Sequence, residues 1–194
     1  MITTLDIETT MTFDSDTVSS PFFGNQIVFV GIKREVPNMY AENIEVWFYH
    51  DVIRATENGV HKVQSALDKA TCLVGHNLKF DLQWLRACGF KYDGKLFDTM
   101  IAEYLLARGN KVGLSLAACC ERRGLGEKRT DLTKEHIKNK VSYESMPPDI
   151  VNQYCMADVS ITKQLADAQI KELGMSWEDY SPGLFLKVPH EKCA

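Results

Sequence analysis

The chain has 194 residues, of which 45% are hydrophobic and 25% charged, a composition typical of one globular domain with its own core. It contains no run of eighteen apolar residues, and its N-terminus lacks the basic and apolar regions of a secretory signal. We therefore expect no membrane span and a cytoplasmic location. The net charge of −4 provides no overall attraction for DNA, so any contact with nucleic acid must be local.

Apolar periodicity predicts strands that alternate with helices in the first half of the chain. Strands are expected at residues 2–7, 26–33, 44–49 and 72–75, and helices at residues 60–70 and 78–88. The second half is mostly helical, with helices expected at residues 99–107, 115–122 and about 149–172. This order indicates an α/β fold, in which three antiparallel strands and one or two parallel strands form a mixed sheet flanked by helices. Residues 177–194 are expected to form an irregular tail.

Two carboxylates, Asp6 and Glu8, alternate along the first predicted strand and therefore project from the same face near its C-terminal end. Neighbouring carboxylates repel each other unless a cation lies between them. Such hard oxygen ligands suit Mg²⁺ or Mn²⁺, which also bind phosphate oxygens. A pair of surface acids at a strand end is the alternative, and this pattern alone does not exclude it.

A second pair, Asn77 and Asp81, lies where the fourth predicted strand turns into a helix. The two residues are one helical turn apart, so both side chains can face the strand ends. The alternative is purely structural. In that case Asn77 would cap the helix, and Asp81 would be an acid favoured in the first turn by the helix dipole.

A third pair, Tyr154 and Asp158, lies on the long C-terminal helix at a spacing of four, which places a phenol and a carboxylate on one face. The surrounding residues are apolar, and a carboxylate beside an apolar stripe needs a partner or a metal ion. A tyrosine half-buried on a core face is the structural alternative for Tyr154.

Together, the three pairs resemble the three exonuclease motifs of the proofreading domain of the DNA polymerase I family. This family is in the tyrosine-bearing (DEDDy) branch of the DnaQ-like, ribonuclease H-like superfamily. Its motifs D-x-E-T, N-x-x-x-D and Y-x-x-x-D match residues 6–9, 77–81 and 154–158. The resemblance extends from about residue 1 to residue 172. It implies a ribonuclease H-like mixed sheet of five strands, three antiparallel and the others parallel, in an exonuclease domain of residues 1–176.

The resemblance also implies a metal-dependent 3′→5′ exonuclease that hydrolyses DNA 3′ ends and releases nucleoside 5′-monophosphates. Two divalent cations, Mg²⁺ or Mn²⁺, would be bound. One, held by Asp6, Glu8 and Asp158, would activate a water, and the other, held by Asp6 and Asp81, would stabilise the leaving 3′ oxygen. Tyr154 would orient the attacking water, because a phenol with a pKa of about 10 is a poor base at neutral pH.

The implied substrate is single-stranded DNA or a frayed DNA 3′ end. Its terminal nucleotide would contact Thr9, Asn77 and Phe80, with Asn77 forming a hydrogen bond and Phe80 stacking on the base. These contacts require the nucleotide to leave the duplex, so we expect a preference for single strands.

Two positions distinguish this chain within the superfamily. The sister branch has a histidine five residues before the last aspartate, where this chain has Gln153, so Tyr154 assigns the chain to the tyrosine-bearing branch. The family also has a large apolar side chain six residues after the first aspartate, which separates the terminal bases. This chain has Thr12 there, and Met11 or Phe13 is the candidate replacement.

Between residues 121 and 140 the chain has seven basic and four acidic residues, a local surplus of three positive charges. A solvated helical face is the ordinary explanation for such a segment. Its position between the second and third motifs also suits contacts with the backbone of a single strand. The basic residues are Arg122, Arg123, Lys128, Arg129, Lys134, Lys138 and Lys140.

In the family this domain is usually joined to a polymerase, and none is encoded in these 194 residues. One hypothesis is that the protein proofreads or trims in trans beside a separate DNA polymerase, for example in a bacteriophage system in the host cytoplasm. The alternative is that the chain is part of a longer polymerase. Two other functions are a ribonuclease D-like exoribonuclease and a non-catalytic nucleic-acid-binding domain of the same fold.

Overall fold

The computed structural model describes residues 1–13, 19–36, 40–50 and 57–181, whose strands form a mixed five-stranded sheet. The strands are β1 (Ile2–Thr9), β2 (Ile27–Arg34), β3 (Glu42–Trp47), β4 (Cys72–Gly75) and β5 (Lys95–Asp98). Their order across the sheet is β3, β2, β1, β4, β5. β1, β2 and β3 pair antiparallel, whereas β4 and β5 run parallel to β1. This arrangement confirms the predicted five-stranded mixed sheet.

Six α-helices of the described chain surround the sheet. They are α1 (Glu57–Lys69), α2 (Leu78–Ala87), α3 (Thr99–Leu106), α4 (Leu116–Glu121), α5 (Lys134–Lys138) and α6 (Pro148–Glu172). Short 3₁₀ turns occur at Pro21–Phe23, Thr130–Leu132 and Tyr143–Ser145. Every predicted helix is confirmed, although α1 begins at Glu57 rather than at residue 60. Within the described part of the chain, no helix has the length and apolar character that a membrane span requires.

Two short elements, β5 and α5, are absent from the sequence prediction. β5 has four residues, of which Phe97 alone is buried, so no alternation of apolar and polar side chains can be recognised. α5 has five residues and none of them is buried. Neighbouring structure therefore determines both elements, and β5 in particular is held by its parallel pairing with β4.

The sheet separates two layers of helices. Leu5 and Ile7 of β1 pack with α1 and α2 in one buried cluster, whereas α6 packs against β1 and β2 from the other face. Because successive side chains of a strand point to opposite faces, Asp6 and Glu8 point away from Leu5 and Ile7. The first pair of predicted acids therefore faces α6.

The long helix α6 packs tightly against the sheet at Gly31, which lies directly opposite Asp6 in the antiparallel pair. A Cβ atom at this position would lie 2.8 Å from Sγ of Cys155 and 3.0 Å from Sδ of Met156. These distances are shorter than van der Waals contact, so glycine is the residue that fits here without movement of α6. The missing side chain on β2 thus allows α6 to bring Cys155 up to Asp6.

The last described residues belong to the segment predicted as an irregular tail. They contain turns but no helix or strand. Trp177 and Tyr180 both pack against Phe97, with ring centroids 5.2 Å apart in each pair, and Tyr180 is only 2% exposed. This part of the tail is therefore integrated into the core. The rest of the predicted tail, residues 182–194, lies outside the described residues.

Candidate active site

Asp6, Glu8 and Cys155 form a compact group of possible ligands where β1 meets α6. One ligand atom from each side chain lies within 4.8 Å of the other two. The Cys155 thiol donates weak hydrogen bonds to the main-chain oxygen of Asp6 at 3.6 Å and to its Oδ2 at 3.7 Å. The prediction that Asp6 and Glu8 share one face is therefore confirmed.

The acids of the three motifs influence each other electrostatically. Burial, followed by repulsion from Asp158, raises the pKa of Asp6 from 3.8 to about 6. Burial, followed by repulsion from Asp6, raises the pKa of Glu8 well above its usual value. The same two causes raise the pKa of Asp81 well above its usual value. The four predicted carboxylates therefore lie in one electrostatic neighbourhood, where a divalent cation would reverse these shifts.

Asn77 and Asp81 lie at the start of α2, but a different residue caps that helix. Asn77 has a left-handed backbone (φ 65°), and its side chain makes no capping hydrogen bond. The carboxylate of Asp98 instead accepts hydrogen bonds from the N–H groups of Asn77 at 3.0 Å and Leu78 at 2.8 Å. The alternative in which the Asn77 side chain caps α2 is therefore wrong. Asp81 is buried in the first turn, at 3% exposure.

Tyr154 and Asp158 lie one turn apart on α6, and both are buried. Oδ2 of Asp158 forms an ion pair with Nζ of Lys128 at 2.6 Å, whereas its buried Oδ1 has no hydrogen-bond partner among the described residues. The same ammonium group lies 5.1 Å from the centroid of the Tyr154 ring. Burial lowers the pKa of Lys128, but its interactions with Asp158 and Tyr154 together more than compensate and raise the pKa above its usual value. Lys128 is therefore a positively charged partner of Asp158.

Tyr143 belongs to the same neighbourhood, although no motif includes it. Its ring stacks on that of Tyr154, with centroids 6.0 Å apart and an angle of 21° between the planes. Burial raises the pKa of Glu8, and a hydrogen bond with Tyr143 partly offsets this. Burial also raises the pKa of both phenols, so both stay neutral and act through hydrogen bonds. Tyr143 thus connects Glu8 to Tyr154.

The predicted nucleotide-binding residues Thr9 and Phe80 lie in different environments. Phe80 is half-buried on α2, with its ring centroid 6.1 Å from that of Trp84. Thr9 is buried, and its hydroxyl lies 2.8 Å from the hydroxyl of Ser19. The Phe80 ring thus keeps some exposed surface, whereas the Thr9 hydroxyl already has a partner.

The position that departs from the family pattern, Thr12, is exposed, and its hydroxyl donates to Oδ1 of Asn25 at 3.1 Å. Met11 packs against the core cluster that contains Tyr154, and its backbone N–H donates to Oγ of Ser142 at 2.7 Å. Met11 and Phe13 are both half-buried, so both stay candidates for separating the terminal bases.

The basic segment does not form one solvated helical face, so that interpretation is wrong. Its α-helical part, apart from the end of α4, is limited to Lys134–Lys138, and residues 125–129 have no regular structure. Several of its charges are paired: Arg122 and Arg123 each lie 2.7 Å from Glu103, and Arg129 lies 2.9 Å from an acid. Much of the local positive surplus therefore serves the structure.

Sequence reasoning missed three residues of this neighbourhood. Lys128 appeared only among seven basic residues, and Tyr143 belongs to no motif. The sequence around Cys155 is ordinary for a buried apolar helix face. Cys155 nevertheless precedes Asp158 by three residues and hence shares its helix face. That spacing is the one signal that could have drawn attention to it.

The donor set fits hard divalent cations. Carboxylate oxygens are the ligands that Mg²⁺ and Mn²⁺ prefer, and the unpartnered Oδ1 of Asp158 is a buried acceptor that a cation would satisfy. Burial, followed by repulsion from Asp6, raises the pKa of Cys155 well above its usual value, so its thiol stays protonated and is a poor ligand. The candidate ligands are therefore Asp6, Glu8, Asp81 and Asp158.

The same fold occurs in solved nuclease and polymerase structures. Brucella melitensis NrnC with bound Mg²⁺ is similar with a TM-score of 0.57 and 18% identity, over 89% of this chain and 73% of that chain. The POL domain of Pol1 from M. smegmatis, in complex with DNA primer-template and dNTP, is similar with a TM-score of 0.52 and 18% identity. That match covers 77% of this chain and 22% of the other. The fold is that of the ribonuclease H-like exonucleases.

Sequence comparison identifies the family. The DNA polymerase of Bacillus phage SP01 is 24% identical over 166 residues, which are 82% of this chain and 18% of the polymerase. The chain therefore spans less than a fifth of the length of that relative. Residues 4–173 match the 3′–5′ exonuclease domain of A-type DNA polymerases. The chain belongs to this 3′–5′ exonuclease family, which confirms the resemblance found in the three motifs.

Proposed function

We propose that the protein hydrolyses the terminal phosphodiester bond of DNA 3′ ends and releases nucleoside 5′-monophosphates, with two divalent cations, Mg²⁺ or Mn²⁺. The observation that carries this proposal is the grouping of acids from three distant motifs. Asp6 and Glu8 lie in one donor group, and mutual repulsion links them to Asp81 and Asp158. Buried carboxylates this close to one another are costly unless cations compensate their charge.

Each acid receives a role in this proposal. Asp6, Glu8 and Asp158 would hold one cation, and Asp6 with Asp81 would hold the other. Such a pair of cations would supply charge stabilisation for an in-line displacement. Tyr154 orients the attacking water through its hydroxyl, whose pKa is raised by burial, so it does not act as a base.

The terminal nucleotide is bound at the start of α2. Asn77 contacts this nucleotide by a hydrogen bond. The Asn77 side chain is available for this contact because Asp98, and not Asn77, caps α2. Phe80 stacks on the base with the exposed part of its ring. Thr9 also contacts this nucleotide, because its hydroxyl keeps acceptor capacity beside its hydrogen bond with Ser19. Frayed or single-stranded ends are preferred, since the nucleotide must leave the duplex.

The test is digestion of labelled DNA and RNA oligonucleotides of equal sequence, with Mg²⁺, Mn²⁺ or a chelator. DNA should be shortened from its 3′ end only when a cation is present. Asp6→Asn and Asp158→Asn should each lower the rate at least about 100-fold, because loss of groups that merely orient metal ligands already costs 10–100-fold. Asp68→Asn, which changes an exposed acid of α1, is the matched control.

Other results of this digestion assay would support a different function or contradict the mechanism. Faster digestion of RNA than of DNA would assign the ribonuclease D-like alternative. Binding of DNA without cleavage under every condition would assign the non-catalytic alternative. Full activity of purified Asp6→Asn would contradict the mechanism itself.

We also infer that a DNA polymerase supplies the 3′ end, either as a separate protein or within the same chain. The sequence relative is a phage DNA polymerase, which also favours the host cytoplasm as the site of action. The pairing of Arg122 and Arg123 with Glu103 reduces the positive charge that these two residues can offer to phosphates, and affinity for DNA rises with the number of phosphates neutralised. Mismatch removal on a primed template should therefore accelerate when the polymerase from the same source is added. An unchanged rate and mismatch preference, without co-purification, would contradict action in trans beside a separate polymerase.

A further inference from the structure

Lys128 extends from the irregular segment after α4 into the candidate active site. Its Nζ lies 2.6 Å from Oδ2 of Asp158 and 5.1 Å from the centroid of the Tyr154 ring. The Lys128 side chain is 25% exposed, whereas that of Asp158 is 4% exposed. The ammonium group of the partly exposed Lys128 thus forms an ion pair with the buried carboxylate of Asp158, which the proposed function assigns as a metal ligand.

We propose that Lys128 is an internal cation that occupies the metal position at Asp158 in the metal-free protein, and that a divalent cation binds there by displacing it. The proposal rests on the proposed function, in which Asp158 is a metal ligand. A metal ion bound to Oδ1, the oxygen of Asp158 without a hydrogen-bond partner among the described residues, would still lie close to the ammonium group on Oδ2, and two positive charges at such short range repel each other strongly. Metal binding and the ion pair between Lys128 and Asp158 are therefore alternatives.

The type of residue and its exposure suit a removable cation. A lysine ammonium is a strongly hydrated point charge on a flexible stem, so it can withdraw into water. Arg123 provides a contrast within the same chain, because its guanidinium is fixed by Glu103 at 2.7 Å and by Glu172 at 2.6 Å.

The physical consequence is a coupling between the two cations. A buried charge without a partner strongly destabilises a folded protein. In the absence of metal, Lys128 supplies the partner of the buried Asp158 carboxylate. When metal binds, the ion pair must be broken, and this lowers the apparent metal affinity. Removal of the lysine charge should thus weaken the metal-free protein and strengthen its binding of metal.

The experiment measures Mn²⁺ binding directly, by electron paramagnetic resonance of free Mn²⁺, in the wild-type chain, Lys128→Met and Arg129→Met. Arg129 lies next to Lys128 but is exposed and paired with Asp131, so its substitution is the matched control. The Kd for Mn²⁺ should fall about tenfold in Lys128→Met, within the usual range for coupled sites. It should not change in Arg129→Met. The melting temperature of Lys128→Met should be lower without metal and should rise more on addition of Mn²⁺.

The outcomes separate this proposal from the proposed function. Equal or weaker Mn²⁺ binding by Lys128→Met would overturn the displacement. Tighter Mn²⁺ binding without any cleavage of nucleic acid by the wild-type chain would retain the displacement and overturn the proposed function. Absence of Mn²⁺ binding by every variant would overturn both. If Lys128→Met does not fold without metal, Lys128→Gln, which can still donate to Asp158, takes its place in the same measurement.

Discussion

The rings of Tyr143 and Tyr154 stack with their centroids 6.0 Å apart, so two phenols from different segments line one side of the carboxylate group. Tyr154→Phe should fold like the wild type, because the ring still packs. Its cleavage rate should nevertheless fall by about 10- to 100-fold, since a small misplacement of a reacting group has an effect of that size. Single-turnover digestion of a labelled oligonucleotide measures this rate.

Tyr143→Phe should have a smaller effect on the same assay. The substitution keeps the stacked ring and removes one hydrogen bond with Glu8, which is worth up to about tenfold in rate. The double variant should lose less than the product of the two single effects, because both hydroxyls act on the same carboxylate group. Strictly multiplicative losses would contradict a shared network.

The stability of the metal-free protein should depend on pH through Asp6. Burial, and then Asp158, raises the pKa of Asp6 from 3.8 to about 6, so the folded state binds this proton more tightly than the unfolded state. The stability contributed by the proton is fully present below about pH 4 and is lost as the pH rises through about 6. The pKa values of Glu8 and Asp81 shift in the same direction, which extends the loss to higher pH.

The measurement is the free energy of unfolding in urea at several pH values, in the presence of a chelator. The free energy of unfolding of the wild type, relative to that of Asp6→Asn, should fall between about pH 4 and pH 7, because asparagine binds no proton in this range. Addition of Mg²⁺ should restore more stability at pH 7.5 than at pH 5, since protons and metal ions compete for the same oxygens. A difference between the two proteins that is independent of pH would show that Asp6 has an ordinary pKa.

Asp98 should matter more for stability than its position outside the three motifs suggests. One of its oxygens accepts hydrogen bonds from the N–H groups of Asn77 and Met100, and the other accepts from Leu78, so it caps both α2 and α3. Asp98→Ala should destabilise the fold by about 2 kcal/mol, since loss of a single cap typically costs about 1 kcal/mol.

The same substitution should also affect the substrate. Because Asp98 holds the backbone of Asn77, its loss should raise the KM for a short oligonucleotide more than it lowers kcat. Asp98→Asn, which keeps one acceptor oxygen, is the control and should be affected less in both respects. Unchanged stability in Asp98→Ala would show that water replaces both caps.

The sequence predicts those parts of the molecule in which local spacing determines geometry. Alternation along β1 places Asp6 and Glu8 on one face, and a spacing of four places Tyr154 and Asp158 together on α6. The motif spacing identified the family, which in turn predicted a complete five-stranded sheet although β5 has no recognisable pattern of its own. These predictions required no knowledge of contacts between distant segments.

Contacts formed by loops could not be predicted in this way. Lys128 reaches Asp158 across 30 positions of sequence from a segment without regular structure, so no periodicity relates the two residues. Tyr143 approaches Tyr154 from a 3₁₀ turn of three residues. The basic segment was misinterpreted for the same reason, since a count of charges contains no information about their partners.

The last prediction concerns the close contact between α6 and the sheet. Gly31→Ala adds a Cβ atom 2.8 Å from Sγ of Cys155, so the Cys155 side chain, or α6 as a whole, must shift away from β2. Overpacking of this kind should lower the free energy of unfolding by about 1–3 kcal/mol. It should also slow cleavage, because α6 carries Tyr154 and Asp158, whereas Asp6 lies on β1.

Two further variants test the cause. Gly126→Ala, whose added Cβ would lie 3.9 Å from its nearest neighbour, should change stability by less than about 0.5 kcal/mol. Cys155→Ala removes the atom that the new Cβ meets first, so Gly31→Ala should cost less in that background than in the wild type. Unfolding in urea and single-turnover cleavage are measured for all four combinations of Gly31→Ala and Cys155→Ala. Equal costs of Gly31→Ala in the two backgrounds would mean that the distance between α6 and β2 is set elsewhere, for example by the contact of Met156 with Gly31.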